Sequence, residues 1–342
     1  MQETNTYKDH LFFPVSLKTM RIDSALSFDV FFRLKNDKMV LFLANDNTFS
    51  EESRQKLIEN NVSTLFVKNI HKKHFNRYLN DHLNEIIDDN TIPTNQKTVI
   101  AHETISSLAE EVFDKPEAQT IRQYKSAISS TVKFVFDNEE AMNNLIRITS
   151  YDFTMFAHSI NVGIFALGLA KEILGDDMIL NIDRIAAGFF LHDIGKCLVP
   201  HSILNKPGPL NPSEWKVMKR HPYNGYKILH QFDELSPEAE VIVMQHHERH
   251  DGKGYPYGLK GDEIHIYSKI CCIADAFDAL TSHRPYKNAN STFEALRIMR
   301  EEMIGEFDPE FFTRFVLLFS ENDYKPKSAS NLNQHDYSLT GT

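Results

Sequence analysis

The sequence predicts an α+β protein, with a small N-terminal α/β module followed by an all-helical domain. Three observations point to this. Short apolar runs separated by polar turns are concentrated in residues 11–90. From about residue 149 onward, helix-capping signals recur and alternating strand patterns are few. Ten of the sixteen histidines lie between His158 and His283, so any site chemistry should sit in that helical half.

The elements follow in order. SFDVFFRL and KMVLFLAN are strand-like runs joined by the polar turn KND, a hairpin signal. SEESRQKLIENN has helical spacing behind Ser50 as N-cap. TLFVKN reads as a further strand and HKKHFNRYLNDHLNEII as one amphipathic helix. Between 97 and 148, Ile121, Tyr124, Ile128, Val132 and Val135 form a helical stripe, and Pro116 breaks the run before it. That stripe either packs on its own domain or serves as a connector or dimer stalk. Further on, Asn211-Pro212 with Glu214 forms a capping-box pattern. Ser236-Pro237 opens another helix, and Ser291 with Glu294 repeats the cap-x-x-Glu spacing. The expected boundaries are 1–96 for a regulatory or sensory module, 97–148 for a helical connector, 149–322 for the helical domain and 323–342 for a polar, disordered tail.

Composition narrows the function. Of 342 residues, 42% are hydrophobic, enough for an ordinary globular core. The net charge of −10 argues against a nucleic-acid polymer as partner and leaves room for a small anionic ligand in a local basic pocket. No run of eighteen apolar residues predicts a membrane span. MQETNTYKDH lacks the basic start and apolar stretch of a signal peptide, so a cytoplasmic location is expected. Cys197, Cys271 and Cys272 form no CxxC pair and read as buried or half-buried thiols.

Five fragments carry candidate metal ligands. His158 sits in FAHSINVGIFALGLA, an apolar helix where a lone histidine is more often a core residue. In FFLHDIGK, His192 and Asp193 end a second apolar helix, with Gly195 read as its C-cap. An ionisable pair there is costly unless paired; a metal would meet that cost, and so would a salt bridge. In KRHPYNGY, Pro222 disfavours the α region for His221 and places it at a helix break. In HHERHDGKGYPYG, His246 and His247 can reach one site only if the helix stops, and Asp251-Gly252 and Gly254 are the expected stop. In ICCIADAFDALTSHRPYK, Asp275 and Asp278 share a helix face. Together these offer enough imidazole and carboxylate donors for two ions of iron, manganese or zinc. Such a pair, bridged by a carboxylate, suits phosphodiester hydrolysis. Lys196, just past the doublet, could contact a phosphate or simply be solvated.

HDIGK, HHERHDGKGYP and IADAFDALTSHRPYK, in this order and spacing, resemble the HD-GYP subgroup of the HD phosphohydrolase superfamily. The resemblance runs from about Tyr151 to about Phe319. It implies an all-helical HD fold and metal-dependent hydrolysis of cyclic di-GMP in bacterial second-messenger signalling. It further implies His158, His192, Asp193, His221, His246, His247 and Asp275 as metal ligands, with Asp193 bridging two metals. Lys196 would lie near the scissile phosphate and act with Asp193 in catalysis. Arg284 and Lys287 would grip the ligand's phosphates, and Gly254 and Tyr255 would line the ligand. Bidentate arginine–phosphate pairing gives physical sense to that assignment.

Members with three metals carry a glutamate one turn before the first histidine, where this chain has Thr154 and Met155. Two divalent ions are therefore expected, iron first and manganese second, with pGpG as main product and slower cleavage to GMP. His265 stands where a proline is common. His250 has no ligand role in the pattern and is expected at the solvent-exposed surface. The resemblance also suggests diguanylate cyclase domains as partners of the loop, and a homodimer is compatible with the helical segment. The competing readings are a receptor that binds cyclic di-GMP without turnover and an HD hydrolase of another nucleotide, including another cyclic dinucleotide.

Overall fold

The computed structural model describes residues 11–34, 36–149, 154–175, 182–282 and 289–319. Arg284, Lys287 and the polar tail expected to be disordered lie outside these residues. The N-terminal module is a four-stranded sheet in the order β1-β6-β3-β4, every pairing antiparallel, beside a two-stranded ribbon of β2 and β5. The strands are β1 (Phe12–Ser16), β2 (Ser24–Ala25), β3 (Val30–Arg33), β4 (Met39–Leu43), β5 (Thr48–Phe49) and β6 (Thr64–Lys68). The β3–β4 hairpin and β6 form where the sequence predicts them. β1 is an additional strand, and it holds Pro14. Proline cannot donate to a ladder, and β1 lies at a sheet edge, where such a residue is tolerated.

Ser50 caps α1 (Glu51–Glu59) by accepting a hydrogen bond from the Ser53 amide. The single helix expected after β6 is instead two, α2 (Lys72–Asp81) and α3 (Leu83–Asp88). They part at His82, whose φ of −110° and ψ of 11° leave the helical region. Its ring packs 4.6 Å from that of Tyr78.

Three longer helices follow: α4 (Thr94–Asp114), α5 (Ala118–Asp137) and α6 (Glu139–Arg147). The stripe Ile121, Tyr124, Ile128, Val132 and Val135 is buried. α4 and α6 pack on α7 (Met155–Leu174), and α5 packs on α8 (Ile182–Leu191). Tyr124 meets Phe190 of α8 edge-on at 6.4 Å between centroids.

α7 is long and apolar enough, by length and composition, to cross a membrane. In this fold it is the core helix, with every residue from His158 to Ala170 buried. Around it come α9 (His201–Leu204), α10 (Pro212–Met218), α11 (His221–Gln231), α12 (Pro237–Gln245), α13 (Ile266–Thr281), α14 (Thr292–Glu301) and α15 (Pro309–Leu317). The Asn211–Glu214 capping box and the Ser236 cap form as the sequence predicts. Ser291 caps α14, but the Glu294 carboxylate turns to Arg297 instead of closing a box.

Gly195 is not a helix C-cap. α8 ends at Leu191, and Gly195 lies inside a 3-10 turn, Ile194–Leu198, that packs on α11. A Cβ on Gly195 would fall 2.0 Å from the His221 carbonyl oxygen, so close approach demands the glycine. Similarly, a Cβ on Gly163 of α7 would fall 2.6 Å from the Phe190 ring.

Candidate metal centre

The candidate ligands come from five segments: α7, the end of α8, the start of α11, the end of α12, and α13. They gather into two groups. Asp193, His221, His246 and His247 bring donor atoms within 4.8 Å of one another, and so do His158, His192 and Asp275. Asp193 faces both groups. Its Oδ2 lies 3.3 Å from His158 Nε2 and 3.5 Å from His192 Nε2. Its Oδ1 lies 3.2 Å from His221 Nε2 and 3.7 Å from His246 Nε2. Asp275 links the groups again, with Oδ1 at 3.1 Å from His158 Nε2 and Oδ2 at 3.5 Å from His247 Nδ1.

Local structure aims these rings. His192, His221 and His246 each direct Nδ1 at the carbonyl three residues back, namely Phe189, Met218 and Val243, at 2.9 Å. Donation there fixes the tautomer and leaves Nε2 as the inward lone pair, as metal-ligating histidines require. His158 Nδ1 instead meets Asp278 Oδ2 at 2.7 Å, and Asp278 also accepts hydrogen bonds from Asn161 and Ser282. The sequence places Asp278 beside Asp275 on one helix face among the possible donors, but does not reveal its part in orienting His158. Its role depends on which of two neighbouring carboxylates turns toward the ligands.

α12 ends at Gln245 with His246 as its C-cap, so both histidines reach inward as predicted. The helix stops before the glycines, however. The buried Glu248 carboxylate then ties down the following loop by accepting hydrogen bonds from the Tyr257 amide at 2.7 Å and the Leu259 amide at 3.0 Å. Gly254 fits against the chain there, because a Cβ would lie 2.4 Å from the Arg249 nitrogen. Tyr255 stacks on His247 at 4.7 Å. His250 is half-buried rather than exposed, its amide donating to the Glu306 carbonyl.

The electrostatics suit cations. Burial opposes the charge on Asp193, yet Lys196, His192 and His158 hold its carboxyl well below the usual range. Asp275 is likewise held well below that range against burial, chiefly by His158 and His247. Burial lowers His221, His247 and His246, the last to about 4, so these rings are neutral donors near neutral pH. His158 is the exception: despite burial, Asp193, Asp275 and Asp278 hold its pKa well above the ordinary value. Lys196 Nζ contacts Asp193 Oδ2. Among the described residues, His192 Nε2 and Asp193 Oδ1 are buried without hydrogen bonds, the arrangement expected of atoms that serve a metal. The donor set, imidazole and carboxylate in two groups sharing one carboxylate, fits divalent metal. Thr154 makes no such contribution; it caps α7 by accepting from the Ala157 amide. His265 caps α13 through Nδ1, accepting from the Tyr267 amide. All three cysteines are free, Cys271 buried and the others half-buried.

Residues 157–311 match the HD domain family. The match takes in just under half of the chain and falls within the stretch that carries the motifs. The family expected from the motifs is the one found. The chain is 37% identical over 182 residues to the cyclic di-GMP phosphodiesterase PA4108 of Pseudomonas aeruginosa, covering 53% of this chain and 43% of that protein. It is 42% identical over 165 residues to 3'3'-cGAMP-specific phosphodiesterase 1 of Vibrio cholerae, covering 47% and 37%. The chain thus spans less than half the length of either relative. Among solved structures, Bd1817, an HDG"Y"P protein from Bdellovibrio bacteriovorus, superposes with a TM-score of 0.63 at 22% identity. That likeness covers 90% of this chain and 99% of the other, and so reaches beyond the HD domain into the N-terminal module.

Proposed function

We propose that this protein is a metal-dependent phosphodiesterase that hydrolyses cyclic di-GMP to pGpG, and more slowly to GMP, in bacterial second-messenger signalling. The observation that carries this reading is Asp193, one carboxylate presented to two separate groups of donors. His158, His192 and Asp275 would hold one ion, and His221, His246 and His247 the other. Iron is the first candidate and manganese the second. Bound there, the pair would supply Lewis acidity toward the phosphate and a hydroxide nucleophile.

The chain's own residues do the rest. Asp278 and the backbone carbonyls orient the imidazoles. Lys196, at the edge of the centre, places an ammonium group where a non-bridging phosphate oxygen or the leaving oxygen can take its hydrogen bond. Tyr255 and Gly254 form the wall against which the dinucleotide lies, and Arg284 and Lys287 hold its phosphates. In this reading residues 1–96 regulate the domain, the protein works in the cytoplasm, and the loop at Tyr255 also meets diguanylate cyclase domains.

Chromatography of products after incubating metal-loaded protein with cyclic di-GMP tests the reading. A pGpG peak is expected. Tight binding with intact ligand would replace the enzyme by a receptor. The similarity to a Vibrio protein named for 3'3'-cGAMP favours one second reading, hydrolysis of that dinucleotide. A kcat/KM for 3'3'-cGAMP above that for cyclic di-GMP would establish it.

A further inference from the structure

We propose that Trp215, Lys219 and Tyr255 form a stacking site for one purine base of the dinucleotide, at the rim of the metal centre. The identity of the ligand rests on the phosphodiesterase reading; the site itself rests on the following geometry. Trp215 is the chain's only tryptophan and is 44% exposed. It stands on α10, whose position is fixed by the Asn211–Glu214 capping box and by Lys206, which contacts Glu214 at 2.5 Å. Trp215 and Lys219 lie one turn apart, with the Lys219 amide donating to the Trp215 carbonyl at 2.9 Å.

The rings continue outward from the centre. Tyr255 stacks on His247 at 29° between planes, and Trp215 meets Tyr255 at 6.3 Å and 72°. Lys219 Nζ lies 5.6 Å from the Trp215 centroid and 5.3 Å from that of Tyr255, a cation held between two ring faces. A lone exposed tryptophan on a surface would call for no explanation. This one belongs to a run of rings that begins at a candidate metal ligand. A nucleotide whose phosphate sits at the centre must send its base outward, toward that rim. An exposed indole face accepts a base by stacking. The neighbouring ammonium suits the O6 and N7 acceptors of guanine, so the site favours guanine over a pyrimidine.

Two measurements test the proposal. Because Trp215 is the sole indole, fluorescence of the metal-loaded full chain, read by rapid mixing before turnover, should show saturable quenching by cyclic di-GMP. No quenching would overturn the stacking site, whether or not turnover occurs. Trp215→Ala should raise the KM for cyclic di-GMP about tenfold or more, with kcat and metal content within about twofold of the parent. Trp215→Phe should restore most of that loss. The KM for cyclic di-UMP should rise in Trp215→Ala as well, because stacking tolerates any base, whereas Lys219→Ala should narrow the preference for cyclic di-GMP over cyclic di-UMP, because the ammonium is the group that suits guanine. An unchanged KM for cyclic di-GMP in Trp215→Ala would refute the site while leaving the phosphodiesterase reading intact. No hydrolysis by the parent protein would refute that reading instead, and quenching would still decide the stacking site.

Discussion

Asp193 and Asp278 divide the work of the centre at the level of single residues. Asp193 is a candidate ligand to both groups, so replacing His192 and Asp193 together by alanine should abolish hydrolysis and strip the metal. Metal analysis and product chromatography read both effects. Asp278 touches no candidate ion position and acts through His158. Asp278→Asn should lower metal affinity by about 10- to 100-fold, measured by competition with a chelator. Arg284→Ala should weaken ligand binding more than metal binding, and metal loss with intact ligand affinity would count against its role. With Thr154 occupied as a helix cap, anaerobically purified protein should hold near two metal equivalents. A value near three would remove the reading that the missing glutamate sets the count.

The elements show why some features were legible in sequence and others were not. Caps are local, so Asn211, Ser236 and Ser50 announced their helices. The candidate ligands were legible because each lies at a helix end or in an apolar run, where an ionisable group needs a reason. Gly195 was misread because its requirement is tertiary. Its missing Cβ makes room for a carbonyl from a helix that begins 26 residues later, at His221. Gly195→Ala should therefore displace the start of α11, destabilise by roughly 1–3 kcal/mol as overpacking does, and reduce metal content with it; denaturant titration and metal analysis check this. β1 was missed because Pro14 hides a strand unless its edge position is known. Glu248 was passed over because its partners are backbone amides of a loop whose path the sequence does not reveal. In the N-terminal module, Asp89 receives hydrogen bonds from Thr91 and Arg21, which lower its pKa to about 2 against the effect of burial. A carboxyl with a depressed folded pKa stabilises above its unfolded value, near 3.8, and loses that contribution as pH falls through about 2. Asp89→Asn should thus lower Tm at pH 7 by a few degrees and change it little at pH 2.

At the scale of the molecule, α4 to α6 are packed into the same hydrophobic core as the HD domain. Tyr124 is the joint most open to test. It is fully buried, and its hydroxyl has no hydrogen-bond partner among the described residues. Tyr124→Phe should leave thermal stability unchanged or raise it, because an unpaired buried hydroxyl is removed. Tyr124→Ala should cost about 3–5 kcal/mol, as large aromatic deletions do. The gathering of seven candidate ligands from five segments, His158 to Asp275, has a thermodynamic consequence. An unfolded chain cannot present that constellation, so every ion captured biases the whole protein toward its native state. At a free-ion concentration one hundred times the dissociation constant, the gain is about 2.7 kcal/mol per site. Chelation would then act as a denaturant, and the melting temperature would serve as a gauge of how much metal the cell supplies.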